Sequence, residues 1–147
     1  MVRGVIAETQ IDPNTLEIEI TEMSMLDYTE ELINTIEQLR SLGITISLDD
    51  FGTGYSSLNY LKKFPVDVLK IDRAFVRDIV PEKSGIAMIS AMISLAHALN
   101  LQVVAEGVEE EAELKVLREQ GCEFVQGYYF SKPLSVEEFT KSILINA

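Results

Sequence analysis

Glu19, Asp49, Asp50, Lys70, Glu106 and Gln126 are the residues of this sequence whose types and spacing could do chemistry. Each falls at or near the carboxyl end of an expected strand. Four of them are acids, and acids held close together repel one another unless a cation neutralises them. Carboxylates without a histidine or thiolate partner favour a hard divalent ion, Mg2+ or Mn2+, over Zn2+. Asp49 next to Asp50 at a strand end could bridge two such ions, the arrangement used for in-line displacement at phosphorus. The glycines of Phe51-Gly52-Thr53-Gly54 let the backbone turn sharply and approach a ligand, and the helix N-terminus behind them could help bind a phosphate. Singly, these residues have ordinary explanations. An Asp-Asp pair before a glycine turn is common turn chemistry, Glu19 could be an edge-strand charge, and Lys70 could pair with a neighbouring acid. The pattern gains weight because all five expected strands carry it.

The elements that must position these residues alternate along the chain. A short helix is expected near residues 2–10, closed by the turn-like Ile11-Asp12-Pro13-Asn14. Leu16 to Ile20 alternates with period two, a strand signal. Residues 28–41 place Leu32, Ile36 and Leu39 at helical spacing, and Gly43 follows where a C-terminal cap belongs. Ile44 to Leu48 is the second strand. Ser56 or Ser57 can cap a short helix that runs to about Phe64 and stops before Pro65. Val66 to Ile71 is the third strand. Residues 84–99 read as a long, largely buried helix with Asn100 as a left-handed stop, and the Met88 and Met92 pair on it is assigned to the core. Leu101 to Ala105, an acidic helix over 109–120 ending at Gly121, a strand from Glu123 to Tyr128 and a helix over 135–145 complete the series. Such a rhythm calls for parallel strands with helical crossovers.

The two faces of each strand differ. Leu16, Ile18 and Ile20 oppose Glu17, Glu19 and Thr21; Ile44, Ile46 and Leu48 oppose Thr45, Ser47 and Asp49; Leu69 and Ile71 oppose Val68, Lys70 and Asp72; Leu101, Val103 and Ala105 oppose Gln102, Val104 and Glu106. An open sheet covered by helices on both sides should be apolar on both faces. A barrel explains the asymmetry: apolar outward under the helices, polar inward at the mouth. The fold class is therefore α/β, a partial TIM-type (β/α) barrel with about five strands and six helices. A complete barrel of this type takes about 250 residues, so roughly three units' worth of sheet is expected to be absent; the chain opens on a helix that would normally follow an earlier strand, so the first strands are the ones expected to be missing. A sheet left open in this way would expose two unpaired edges and a large apolar surface.

Composition bounds the partners. Twelve basic residues against twenty-four acidic ones give a net charge of -12. That balance excludes duplex nucleic acid and an anionic membrane surface as natural partners, since both need Lys/Arg patches. One cysteine, Cys122, rules out an internal disulfide and fits a reducing compartment. No stretch is long and apolar enough for a spanning helix, so direct membrane insertion is not expected. These features describe a cytoplasmic domain, whether or not the parent protein is attached to a membrane. His97, alone on its helix, and Cys122 are assigned packing or surface roles. Tyr128 and Tyr129 could flank the mouth or serve in packing.

The segments Glu19 to Glu22 (EITE), Asp49 to Leu58 (DDFGTGYSSL), Leu69 to Asp72 (LKID), Val103 to Glu109 (VVAEGVE) and Gln126 to Pro133 (QGYYFSKP) together resemble the EAL domain family, bacterial cyclic di-GMP phosphodiesterases. The resemblance runs from about residue 2 to the C-terminus. It implies that residues 1–147 are the C-terminal portion of a single EAL domain. It further implies two divalent ions, with Glu19 a metal ligand, Asp49 the bridging ligand, Asp50 a second-metal ligand and Glu106 a ligand to metal or its water. Lys70 resembles the lysine that contacts the hydrolytic water, and Gln126 the glutamine that lines the water network. Glu22, Glu109 and Asp72 resemble supporting acids, Glu22 anchoring the loop after Asp50. That loop, Phe51 to Ser57, couples metal binding to dimerisation in the family, so a homodimer or a pairing with another EAL-domain chain is implied. The implied reaction is hydrolysis of cyclic di-GMP to linear pGpG.

The resemblance is incomplete. The family's Glu-Ala-Leu strand and a metal-ligand asparagine on its second strand have no counterpart here, and Ala112-Glu113-Leu114 is only a scrambled echo on a helix. Weak or absent turnover is therefore expected of this chain by itself. The alternative is a catalytically inactive module that binds cyclic di-GMP or another protein.

Overall fold

A computed structural model of the chain describes residues 2–27, 29–52, 61–80 and 83–146. Five strands form one sheet in the order β1-β2-β3-β4-β5, where β1 is Glu17–Thr21, β2 Thr45–Phe51, β3 Val68–Ile71, β4 Gln102–Glu106 and β5 Phe124–Gln126. Every neighbouring pair is parallel. Six α-helices are present among the described residues: α1 Val2–Thr9, α2 Glu30–Arg40, α3 Arg73–Arg77, α4 Lys83–Ala98, α5 Glu111–Glu119 and α6 Val136–Asn146.

Sequential parallel order has a physical consequence. Crossovers between parallel strands are right-handed, so strands added always on the same side carry their helices on the same face. The strands accordingly bury one set of side chains under the helices: Ile46, Leu48, Leu69, Ile71, Val103 and Ala105 are all sealed from solvent. Ile36 of α2, Val76 of α3, Ile89 and Ile93 of α4, and Leu114 and Leu117 of α5 pack onto them. The opposite face carries Glu17, Glu19 and Thr21 of β1, which are exposed, and Lys70 of β3. This is the barrel-type asymmetry expected from the sequence. β1 and β5 lie at the two ends of the sheet, and Phe124, Tyr128, Phe130 and Phe139 stand exposed beside β5.

The punctuation follows the expected chemistry. Thr29 caps α2, its Oγ1 accepting from the Leu32 amide at 3.1 Å. Gly43 has φ +95°, and a Cβ there would lie 2.8 Å from Asn14 Oδ1, so only glycine suits the stop. Asn100 ends α4 at φ +59°. The Asp12 side chain accepts from the Asn14 amide at 3.0 Å and opens a single 3-10 turn. At the lower edge, Arg40 at the end of α2 forks onto Asp67, whose Oδ2 also accepts from the Ile46 amide at 3.0 Å.

Three expectations are corrected. Met92 is buried, but Met88 is half exposed, because it sits one turn away on the flank of α4. Strand five is three residues long rather than six: from Gly127 on, the backbone turns to bond Val108 instead of a neighbouring strand. The helix α3 was not anticipated. The helix expected from Ser56 or Ser57 lies mostly outside the described residues, as do Thr53 and Gly54.

Candidate active site

The strand ends gather the candidate residues in register. Thr21 pairs with Asp49, Lys70 with Val104, and Glu106 with Gln126. Lys70 is the centre of the cluster. Its ammonium donates to Glu19 Oε1 and lies 2.7 Å from Glu106 Oε1 and 3.6 Å from Asp49 Oδ1. Its side chain is only 7% exposed. Burial alone would pull the lysine pKa down; the bonds to Glu106 and Glu19, helped by the charge of Asp49, overcome this and hold it above the ordinary lysine value. Lys70 is a fixed positive charge that gathers carboxylates from three other strands.

Asp49 and Asp50 share the rim because β2 contains a bulge. Leu48 pairs with Leu69 and Phe51 with Ile71, so two residues of β2 span what Lys70 alone spans in β3. Plain alternation would send Asp50 to the same side as Leu48, under the helices. The inserted residue instead lets Leu48 and Phe51 both enter the core and releases both aspartates from it. Asp50 absorbs the distortion at φ +57°, a conformation aspartate tolerates better than most residues. The Asp50 amide donates to Asp49 Oδ1 at 3.0 Å. Behind the bulge, the buried Glu22 accepts from the Gly52 amide at 2.9 Å, so its carboxylate holds the start of the turn.

The other supporting residues divide. Asp72 caps α3, accepting from the Ala74 amide at 2.8 Å. Glu109, in the turn before α5, lies 3.2 Å from Arg77 of α3. Gln126 is exposed, and its carbonyl accepts from the Val108 amide at 3.0 Å. Together with Asp50, Asp72, Glu106 and Glu109 it lines a concavity of about 390 Å3. Tyr128 forms part of its wall, with Lys132 over the ring at 5.8 Å, whereas Tyr129 stacks edge-on against Phe130 instead.

Two turns hold Glu106 and Gln126 side by side. The Tyr129 amide donates to Val108 O at 2.9 Å, and a Cβ on Gly127 would sit 2.0 Å from that oxygen and 2.3 Å from Val108 N. The obstruction is backbone and cannot swing aside. Gly127→Ala is expected to cost at least about 3 kcal/mol, the upper end for overpacking. Urea denaturation checks this, and an unchanged midpoint would contradict the close approach.

Sequence reasoning missed two features. Glu113, read only as one residue of an acidic helix, is buried and accepts from the amides of Glu109 and Glu110 at 2.8 and 3.0 Å, which locks the start of α5. The Glu-x-x-Glu spacing before an apolar run was the available signal. His97, read as bland, reaches Glu123 at 2.8 Å, and Glu123 also accepts from the Val103 amide. Cys122 fits its expected role: burial pushes its thiol up to about 11, and it donates to Phe124 O at 3.1 Å.

The donors available to a metal are all carboxylate oxygens, which suits a hard cation. Among the described residues, however, no three acids, histidines or cysteines stand at spacing for a metal cage. The positive charge between Glu19, Asp49 and Glu106 is that of Lys70. The donor chemistry therefore fits, and the cage is incomplete in the arrangement described.

A sheet of sequential parallel strands under helices on one face, with an acidic cluster at its carboxyl edge, defines a (β/α)-barrel-type domain. The chain belongs to the EAL domain family, whose model matches residues 2–133. It is 44% identical over 149 residues to the cyclic di-GMP phosphodiesterase NbdA of Pseudomonas aeruginosa, covering 99% of this chain and 19% of that protein. It matches the structure of the PaMucR phosphodiesterase in complex with c-di-GMP with a TM-score of 0.87 at 40% identity, covering 94% of this chain and 56% of that one. It also matches Klebsiella pneumoniae BlrP1 in a manganese/cy-diGMP complex, with a TM-score of 0.81 at 32% identity over 90% of this chain and 34% of that one. The chain spans about a fifth of the length of the curated relatives it matches. No helix among the described residues is long and apolar enough to cross a membrane.

Proposed function

We propose that this chain forms part of a cyclic di-GMP phosphodiesterase site that hydrolyses one phosphodiester to give pGpG. The observation that carries the proposal is the convergence of Glu19, Asp49 and Glu106, from three strands, on buried Lys70. The relatives' activity and ligands support the substrate assignment. Residues 1–147 are taken as the C-terminal portion of one EAL domain, a reading supported by their covering 56% of the PaMucR chain.

In this proposal Glu19, Asp49, Asp50 and Glu106 hold Mg2+ or Mn2+. When bound, such ions lower the pKa of a water and neutralise charge at the phosphate. Lys70 pairs with Glu19 and Glu106 and holds both at the rim, and its charge adds to the field that stabilises anionic oxygen there. Gln126, in register with Glu106, can orient a water through its amide. Glu22 fixes the Gly52 turn, which sets where Asp50 stands. A homodimer, or a pairing with another EAL-domain chain, belongs to the same proposal.

Incubating the protein that contains this chain with cyclic di-GMP and Mg2+ or Mn2+ tests it, with chromatography of the nucleotides as the readout. Formation of pGpG is expected, and chelation of the metal should stop it. Binding of cyclic di-GMP with no product would favour the non-catalytic alternative.

A further inference from the structure

Among the described residues that line the concavity, one is a cation without an ion-pair partner. Arg73 lines the same concavity as Asp50, Asp72, Glu106 and Glu109 and is the only basic residue among the described residues of that lining. Three of those acids are engaged elsewhere: Glu106 with Lys70 at 2.7 Å, Glu109 with Arg77 at 3.2 Å, and Asp72 with the Ala74 amide at 2.8 Å. Among the described residues, none forms an ion pair with the Arg73 guanidinium. The position of Arg73 is nonetheless built. It is the first residue of α3, directly after the cap Asp72. Gly107, at φ +74°, lies so close that a Cβ there would stand 2.4 Å from Arg73 Cβ. The turn after Glu106 thus presses on the backbone from which the guanidinium projects.

The proposed substrate gives this group a task. A cyclic dinucleotide carries two phosphodiester anions, and only one can react at the carboxylate cluster at a time. The other must rest against a mouth rich in acids. Lys70 cannot receive it, being buried and saturated by carboxylates. A guanidinium fork pairs bidentately with phosphate oxygens.

We propose that Arg73 binds the second, non-reacting phosphodiester of the cyclic dinucleotide and so sets preference for it over simple phosphodiesters. This rests on the phosphodiesterase reading of the same site. The test uses the protein that contains this chain, as wild type, Arg73→Ala and Arg73→Lys. Calorimetry gives the Kd for cyclic di-GMP, and steady-state kinetics compare cyclic di-GMP with bis(p-nitrophenyl) phosphate, which has one phosphodiester only. Arg73→Ala should weaken cyclic di-GMP binding and raise KM by at least about tenfold, the loss of one charge-assisted pair. Its kcat should stay within about twofold, the sign of lost uniform binding. Hydrolysis of bis(p-nitrophenyl) phosphate should be unchanged, and Arg73→Lys should recover part of the affinity. An unchanged Kd, or equal losses on both substrates, would overturn the proposal. If the wild type binds cyclic di-GMP without cleaving it, the hydrolase reading fails, while the Kd comparison still decides the role of Arg73. A wild type that does not bind the dinucleotide overturns both.

Discussion

In the protein that contains this chain, Asp49→Ala is expected to lower metal-dependent hydrolysis of cyclic di-GMP by at least about a thousandfold, equivalent to about 4 kcal/mol of barrier. Asp49 is the residue at which three constraints meet. It pairs in register with Thr21 of β1, it precedes the bulge that turns Asp50 to the rim, and its Oδ1 receives the Asp50 amide. Alanine removes a candidate ligand and also the acceptor that ties the two aspartates together. The fold should survive. Asp49 stands 3.6 Å from Lys70 and is partly exposed, so the pair contributes less than about 1 kcal/mol to stability. Single-turnover product analysis together with a urea melt separates the two effects. Activity above about a tenth of wild type, a barrier change near 1.4 kcal/mol, would remove Asp49 from the proposed metal set.

Lys70→Met should have the larger effect on stability. Methionine fills the space of the stem but leaves Glu19, Asp49 and Glu106 facing one another without a cation. Removing one partner of a buried ion pair costs about 3–5 kcal/mol. The lower end applies here, because Glu19 is half exposed and can swing into water. If these acids are metal ligands, a divalent ion can replace the lost charge. At about a hundred times its Kd, Mn2+ should return about 2.7 kcal/mol to the variant. Urea denaturation with EDTA and with Mn2+ reads both numbers. A variant as stable as wild type in EDTA would show that the lysine does not hold the cluster together.

The strands and the face that each side chain takes were legible because facing depends on a two-residue period. Glu19, Lys70 and Glu106 fall on the non-helical face by counting alone, and the parallel register then brings them together. The placement of Asp50 was not legible in this way. A bulge inserts one residue and reverses the facing of everything after it, yet Leu-Asp-Asp-Phe reads the same with or without it. The helix α3 escaped for a different reason: Arg73–Arg77 is too short to show a helical period, and only Asp72 at its cap marks it. Met88 escaped because α4 is apolar nearly all round, which leaves its buried side undefined by pattern. Strand five was overextended because Tyr128 has strand propensity, whereas Gly127 packed on the Val108 backbone ends the ladder.

Mn2+ anomalous diffraction from crystals of the protein that contains this chain tests the central claim most directly. The account predicts anomalous peaks at the carboxyl ends of the strands, in contact with carboxylate oxygens of Asp49 and Asp50. Peaks confined to other surfaces, or a rim in which Lys70 alone balances the acids at saturating Mn2+, would contradict it.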